Sequence, residues 1–376
     1  MSLNRREWLM TAAAAVAFQS GWPAMAEEPE PVSLEHMIGQ MLLMGFIGSS
    51  AETSGAETVA EHLAQRRIGG VLFLRHNVRT REGAEGSAAL FGEADPEAWL
   101  AIDQEGGLVQ RLSRDLGYTW IPRASQVVEE YGLEGASGLY ATGARELRAA
   151  GFNMNLAPVA DVHEDGNAVI GRHGRAYGTT GEAISAYAGR FIDAFNAEGV
   201  ACVLKHFPGH GRSRGDSHDG FVDITATWSE EELDPFVRLI GSGHARYIMG
   251  GHLTHQQLDP SGVPVTFSTP ILTGILRERL GFDGIIMTDD LDMGAIRSHY
   301  DQRTAVIRSI QAGNDVIMMS NSAAPDPELP QRFVEWVLAA LESGDLSEGA
   351  IRSSYRRIIA AKAAGRILPT KTPQQD

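Results

Sequence analysis

Short apolar runs of strand length recur eight times along this chain, with amphipathic stretches between them. They are "MLLMGFI" (41–47), "GGVLFL" (69–74), "AWLAI" (98–102), "NMNLAPV" (153–159), "GVACVL" (199–204), "YIMGGHL" (247–253), "GIIMTDD" (284–290) and "DVIMMS" (315–320). Intervening segments such as "AISAYAGRFIDAFNAEG" (183–199) place their apolar residues at helical spacing. Strands alternating with helices predict a parallel sheet, and eight repeats favour a single closed (β/α)8, TIM-like barrel over an open doubly wound sheet. Each run is apolar on both faces, as a strand buried between a barrel interior and an outer helical layer must be.

The two ends break the pattern. "NRREWLM" puts Arg5 and Arg6 ahead of the apolar "TAAAAVAF", and "AMA" at 24–26 offers small residues to a signal peptidase. Residues 1–26 thus resemble a twin-arginine export signal, which predicts a periplasmic or secreted protein. No linker divides residues 27–366, which are expected to form one catalytic barrel, and residues 367–376 read as a disordered tail.

A barrel makes a demand on chemistry, because the loops after the strands form its functional face. Polar groups do follow the apolar runs: Asp103, Asp161, Lys205 with His206, His252 and Asp289. Mobile catalytic loops are expected at this C-terminal face of the strands. The densest stretch is "KHFPGHGRSRGDSHDGF" (205–221). Its His206, His210, Asp216 and His218 are metal-ligand types, but proline and glycine between the first two histidines make helical spacing meaningless there. Its glycines do not have phosphate-loop spacing. A third reading pairs Asp216 with His218 as carboxylate and general acid/base in a small, polar loop.

Composition narrows the partners. A formal net charge of −16 disfavours nucleic acid and anionic membranes, and past the leader no run approaches the length of a membrane span. The single cysteine, Cys202, sits in an apolar run and reads as a core residue.

Six motifs now stand in order: "AIDQEGGLVQRL" (101–112), "APVADV" (157–162), "GRAYG" (174–178), "KHFPGHG" (205–211), "GDSHDGF" (215–221) and "IIMTDDLDMGAI" (285–296). Together they resemble the family 3 glycoside hydrolases, and within them the NagZ-type β-N-acetylglucosaminidases, from "IGQMLLMGF" through "AGNDVIMMS". The resemblance implies a retaining exo-glycosidase that releases terminal N-acetylglucosamine from peptidoglycan fragments or chitin-type oligosaccharides, with no metal or other cofactor. It implies Asp289 as nucleophile and Asp216–His218 as the acid/base pair. Asp103, Arg111, Arg175, Lys205 and His206 would hold sugar hydroxyls, with His252 as pocket wall or secondary binder. Two departures are visible. Leu108 stands where the family often has a basic residue, and the longer "GRHGRAYG" makes Arg172 a rival of Arg175.

Overall fold

The computed structural model describes residues 32–215 and 221–365. The eight apolar runs form the eight barrel strands: β1 (Leu42–Gly45), β2 (Gly70–Phe73), β3 (Trp99–Ile102), β4 (Met154–Asn155), β5 (Ala201–Phe207), β6 (Tyr247–Gly250), β7 (Ile285–Thr288) and β8 (Ile317–Met319). Neighbours pair in parallel from β1 through to β7, and β1 also pairs with β8. Closure comes from a parallel bridge between Met287 and Val316, with the Thr288 amide donating to the Val316 carbonyl at 3.1 Å and the Leu291 amide to Met318 at 3.0 Å. The seam leaves no exposed edge, which removes the aggregation hazard of an open sheet.

Most strands are four residues or fewer, because a tilted barrel strand has to cross only the core before its loop begins. β5 runs three residues past the apolar run that announces it, so Lys205 and His206 lie inside a strand rather than after it. Pattern reading stops early because these two residues are polar, Lys205 reaching Asp103 and His206 reaching Asp161.

Helices cover the outside. Gly181–Ala197 starts at Thr180, whose hydroxyl accepts from the Ala183 amide, and it buries Ile184, Ala188, Phe191, Ile192 and Phe195. The final helix, Glu348–Gly365, is locked to the barrel through buried Asp315, which accepts from Ser354 Oγ at 2.8 Å, Arg357 Nε at 2.9 Å and the Ile286 amide at 3.0 Å. Cys202 is buried in the core, where desolvation raises its thiol pKa well above the ordinary value. Among the described residues no helix is long and apolar enough to cross a membrane. The proposed leader, residues 1–26, and the proposed tail, residues 367–376, lie outside the described residues.

Toward its end β5 contains a cis peptide at Lys205–His206, and a second at Phe207–Pro208 leads out of the strand into a strap. Two buried carboxylates hold this strap. Asp161 accepts from the amides of His206 (3.1 Å) and His210 (2.8 Å), and Glu232 accepts from the Gly211 amide (3.0 Å). Trp228 Nε1 donates to the Pro208 carbonyl at 3.0 Å. Gly211 is required by contact, since a Cβ there would fall 1.7 Å from the Val162 carbonyl oxygen.

Burial, reinforced by the charge of Asp161, pushes the Glu232 carboxyl up to about 8. A folded pKa above the unfolded one favours the protonated form, so this stabilisation is complete below about 4.5 and disappears as pH rises through about 8. Denaturant unfolding across that window should show Glu232→Gln, which keeps an acceptor for Gly211, losing up to about 4 kcal/mol less stability than wild type. Parallel stability curves for the two proteins would refute the assignment.

Candidate active site

Asp103 leaves β3 and enters a tight hairpin, Gln104–Gly106 against Val109–Gln110, turned by Gly106 and Gly107 at positive φ. Alternate residues of an extended segment share a face, so Asp103 and Glu105 both present carboxylates to the barrel mouth. The resulting line of charges alternates in sign. Arg111 Nη2 donates to Asp103 at 3.0 Å, and Lys205 Nζ donates to Asp103 at 2.9 Å and lies 2.6 Å from Glu105. Arg175 closes the line with a two-pronged pair to Glu105, at 2.8 and 2.7 Å.

Burial opposes every charge in this floor, and the partners overcome it. Desolvation would raise the Glu105 carboxyl, yet Arg175 and Lys205 hold it well below the usual range. Asp103 is lowered against desolvation by Lys205 and Arg111, and Lys205 is raised against desolvation by the two carboxylates. The floor is therefore fully ionised at neutral pH, a set of fixed donors and acceptors suited to hydroxyl groups.

Asp289 stands at the end of β7. Desolvation would raise its pKa, but His252, His206, the Asp290 amide and Lys205 together bring it below the ordinary value. Its Oδ1 accepts from the Asp290 amide at 2.8 Å. The neighbouring acids are differently employed. Asp290 Oδ1 accepts from the amides of Ser320 (2.8 Å) and Asp292 (3.0 Å), and burial raises its pKa to about 6. Asp292 faces Gln302 and Ser320. Asp289 has its carboxylate form favoured by the histidines and lysine of the pocket.

The other expected residues divide into two groups. His206 joins the site with Nδ1 2.7 Å from Asp161, which fixes its ring. His252 is buried behind the Asp289–Asp290 turn, with Nδ1 2.7 Å from Thr266 Oγ1 and Nε2 2.9 Å from the Asp290 carbonyl. Asp216 and His218 lie outside the described residues. His210 turns Nδ1 to Ser213 Oγ at 2.7 Å, and burial lowers its pKa to about 4. Among the described residues no three histidines, cysteines or acids converge as a metal-ligand group. Arg175 rather than Arg172 meets the charged floor, whereas Arg172 is exposed at the rim.

Three contributors were not assigned roles from sequence: Glu105, Asp161 and Glu232. For Glu105 the signal was present, since it follows Asp103 at the two-residue spacing of a shared face. Asp161 was visible as a polar residue after an apolar run, without an indication of its partners. Glu232 sits in the acidic "SEEEL", which reads as a solvated helix start.

Comparison with known proteins places this geometry in a family. The model of the glycosyl hydrolase family 3 N-terminal domain matches residues 33–361. Beta-hexosaminidase A of Pseudoalteromonas piscicida is 29% identical over 92% of this chain and 62% of its own length. The beta-hexosaminidase of Methylococcus capsulatus is 33% identical over 82% of this chain and 88% of its own. A family 3 beta-N-acetylglucosaminidase structure from Paenibacillus sp. superposes with a TM-score of 0.80 at 31% identity, covering 89% of this chain and 63% of that one. Beta-N-acetylhexosaminidase from Beutenbergia cavernae superposes with a TM-score of 0.77 at 28% identity, covering 89% and 99%. This chain thus spans less than two thirds of the Pseudoalteromonas and Paenibacillus proteins and most of the other two. With nearly the whole described barrel inside the matched region, the chain belongs to glycosyl hydrolase family 3.

Proposed function

We propose that this chain is a retaining exo-β-N-acetylglucosaminidase acting on peptidoglycan fragments or chitin-type oligosaccharides. The observation that carries the reading is Asp289, an ionised carboxylate at the rim of a fully charged floor, in a chain whose relatives are named as hexosaminidases. The floor residues Asp103, Arg111, Lys205 and Arg175, with His206, bind the hydroxyls of the terminal sugar. Asp289 attacks the anomeric carbon while His218, oriented by Asp216, gives its proton to the departing glycosidic oxygen. The C–O bond to the aglycone breaks as the ester to Asp289 forms. Water then attacks the same carbon, His218 takes its proton, and the carboxylate is released with anomeric configuration retained.

A panel of 4-nitrophenyl β-glycosides tests the specificity. The N-acetylglucosaminide should be the best substrate, and equal or faster turnover of the glucoside would sink the subfamily reading. Asp289→Asn should lower kcat by roughly 10⁴-fold or more with an unchanged circular dichroism spectrum. Wild type should be labelled by a 5-fluoro glycoside, and the label must map to the peptide bearing Asp289.

His218→Ala separates proton donation from binding. Loss of a general acid costs about 10²–10⁴-fold, and the deficit should appear on a natural disaccharide while glycosylation from a nitrophenyl glycoside is nearly spared. Equal losses on both substrates, confined to KM, would assign the histidine to binding instead.

Residues 1–26 support export through the twin-arginine route, so the enzyme would meet its substrates outside the cytoplasm. Protein from its own host should begin near Glu27, and lysines at positions 5 and 6 should strand the precursor. An intact N-terminus on cytoplasmic protein would contradict export.

A further inference from the structure

The turn that carries Arg175 and the strap that follows β5 meet at one buried amide. Asn167 is 1% exposed, and its side chain is engaged at both ends. Its Oδ1 accepts from the backbone amides of Val169 at 3.0 Å, Gly171 at 3.1 Å and Ile170 between them. Its Nδ2 faces the strap, with the His210 carbonyl at 2.9 Å and both the carbonyl and Oγ of Ser213 at 3.0 Å as acceptors.

Each end leads to a functional group. On the acceptor side the turn continues to Arg175, whose amide donates to the Ile170 carbonyl at 3.0 Å and whose guanidinium pairs with Glu105. On the donor side Ser213 Oγ lies 2.7 Å from His210 Nδ1, and the His210 amide is held by Asp161. Asp216 and His218, the acid/base pair proposed above, follow Ser213 by three and five residues in the sequence. A side-chain amide has two donor hydrogens and two acceptor lone pairs, and here each set is committed to a different segment.

Apolar packing contributes little to this joint. Val169, Ile170 and Ala176 form a small buried cluster with Val159, separate from the main core, and among the described residues the strap adds nothing to it. Other polar links between turn and strap lie at the surface. Arg212 and Arg214 pair with Glu164 at 3.2 and 2.7 Å, the Arg214 side chain being 54% exposed and that of Glu164 33%. Ion pairs in contact with water are weak, whereas a buried amide stripped of its partners is costly, so the buried one sets the geometry.

We propose that Asn167 is a positioning residue that sets the strap leading to His218 against the turn carrying Arg175, so that proton donation is registered to the bound sugar. The inference rests on the glycosidase reading above, in which Arg175 binds the sugar and His218 donates the proton. No bond of the reaction is made at Asn167; it acts through those two residues.

The test measures kcat/KM on a series of aryl N-acetyl-β-glucosaminides of graded leaving-group acidity. Asn167→Ala should lose about 10- to 100-fold on the poorest leaving group and less than about threefold on a dinitrophenolate, the pattern of a misplaced general acid. Added to His218→Ala, it should cost less than about a further twofold on the poor leaving group, because the two residues serve one step. Asn167→Asp keeps the acceptor end of the joint, so inhibition by free N-acetylglucosamine should stay within about twofold of wild type while the leaving-group dependence still steepens. Ser213→Ala removes one strap acceptor and should show the same trend at smaller amplitude, which keeps the test decisive should the Asn167 variants fold poorly. Equal losses across the series, an additive double variant, or the same pattern from Glu164→Gln would overturn the positioning role while leaving the glycosidase reading intact. A flat series for His218→Ala itself would overturn the acid/base assignment and this inference with it.

Discussion

Lys205 holds its ammonium, only 4% exposed, between the carboxylates of Asp103 and Glu105. Isolated in a barrel mouth such a cation would cost several kcal/mol in lost hydration, so it demands compensation on both sides. The two acids in turn over-compensate it, and each recruits an arginine: Arg111 at one end, Arg175 at the other. The arginines come from distant parts of the chain, so this single line of charge ties β3, its hairpin, β5 and the 171–178 turn to one another. Removing any member leaves a buried charge without one of its partners, which ties the stability of the barrel mouth to the same residues that would meet substrate.

The same electrostatic frame separates three aspartates that the sequence places almost side by side. Asp290 spends its carboxylate on two backbone amides and so shapes the loop; Asp292 packs against Ser320 and Gln302. Asp289 is left facing the pocket. Its charge is held by Lys205 and His206 on β5, by His252 just after β6 and by the Asp290 amide, so adjacency to the other two aspartates carried little information about role.

The barrel was legible because its strands are short, apolar and evenly repeated; in the floor, Asp103 and Lys205 were legible as charges after apolar runs, whereas Arg111 and Arg175 came only with the family resemblance. Glu105 was hidden by a glycine pair that reads as a turn, although its spacing from Asp103 matched a shared face. The length of β5 was hidden by Lys205 and His206, polar residues that end an apolar run without ending the strand. Asp161 and Glu232 escaped for a different reason: what defines them is the backbone they receive, and amides of the strap are invisible in side-chain chemistry.

The close approach of Gly211 to Val162 has a consequence for transplantation. The strap after β5 has no rigidity of its own; its shape is borrowed from the turn after β4 and from the 228–232 segment that supplies Trp228 and Glu232. A protein engineer moving this strap into another barrel scaffold would need to carry three discontinuous pieces as one cassette. Grafting the histidine-bearing loop alone would deliver its residues without the mould that orients them.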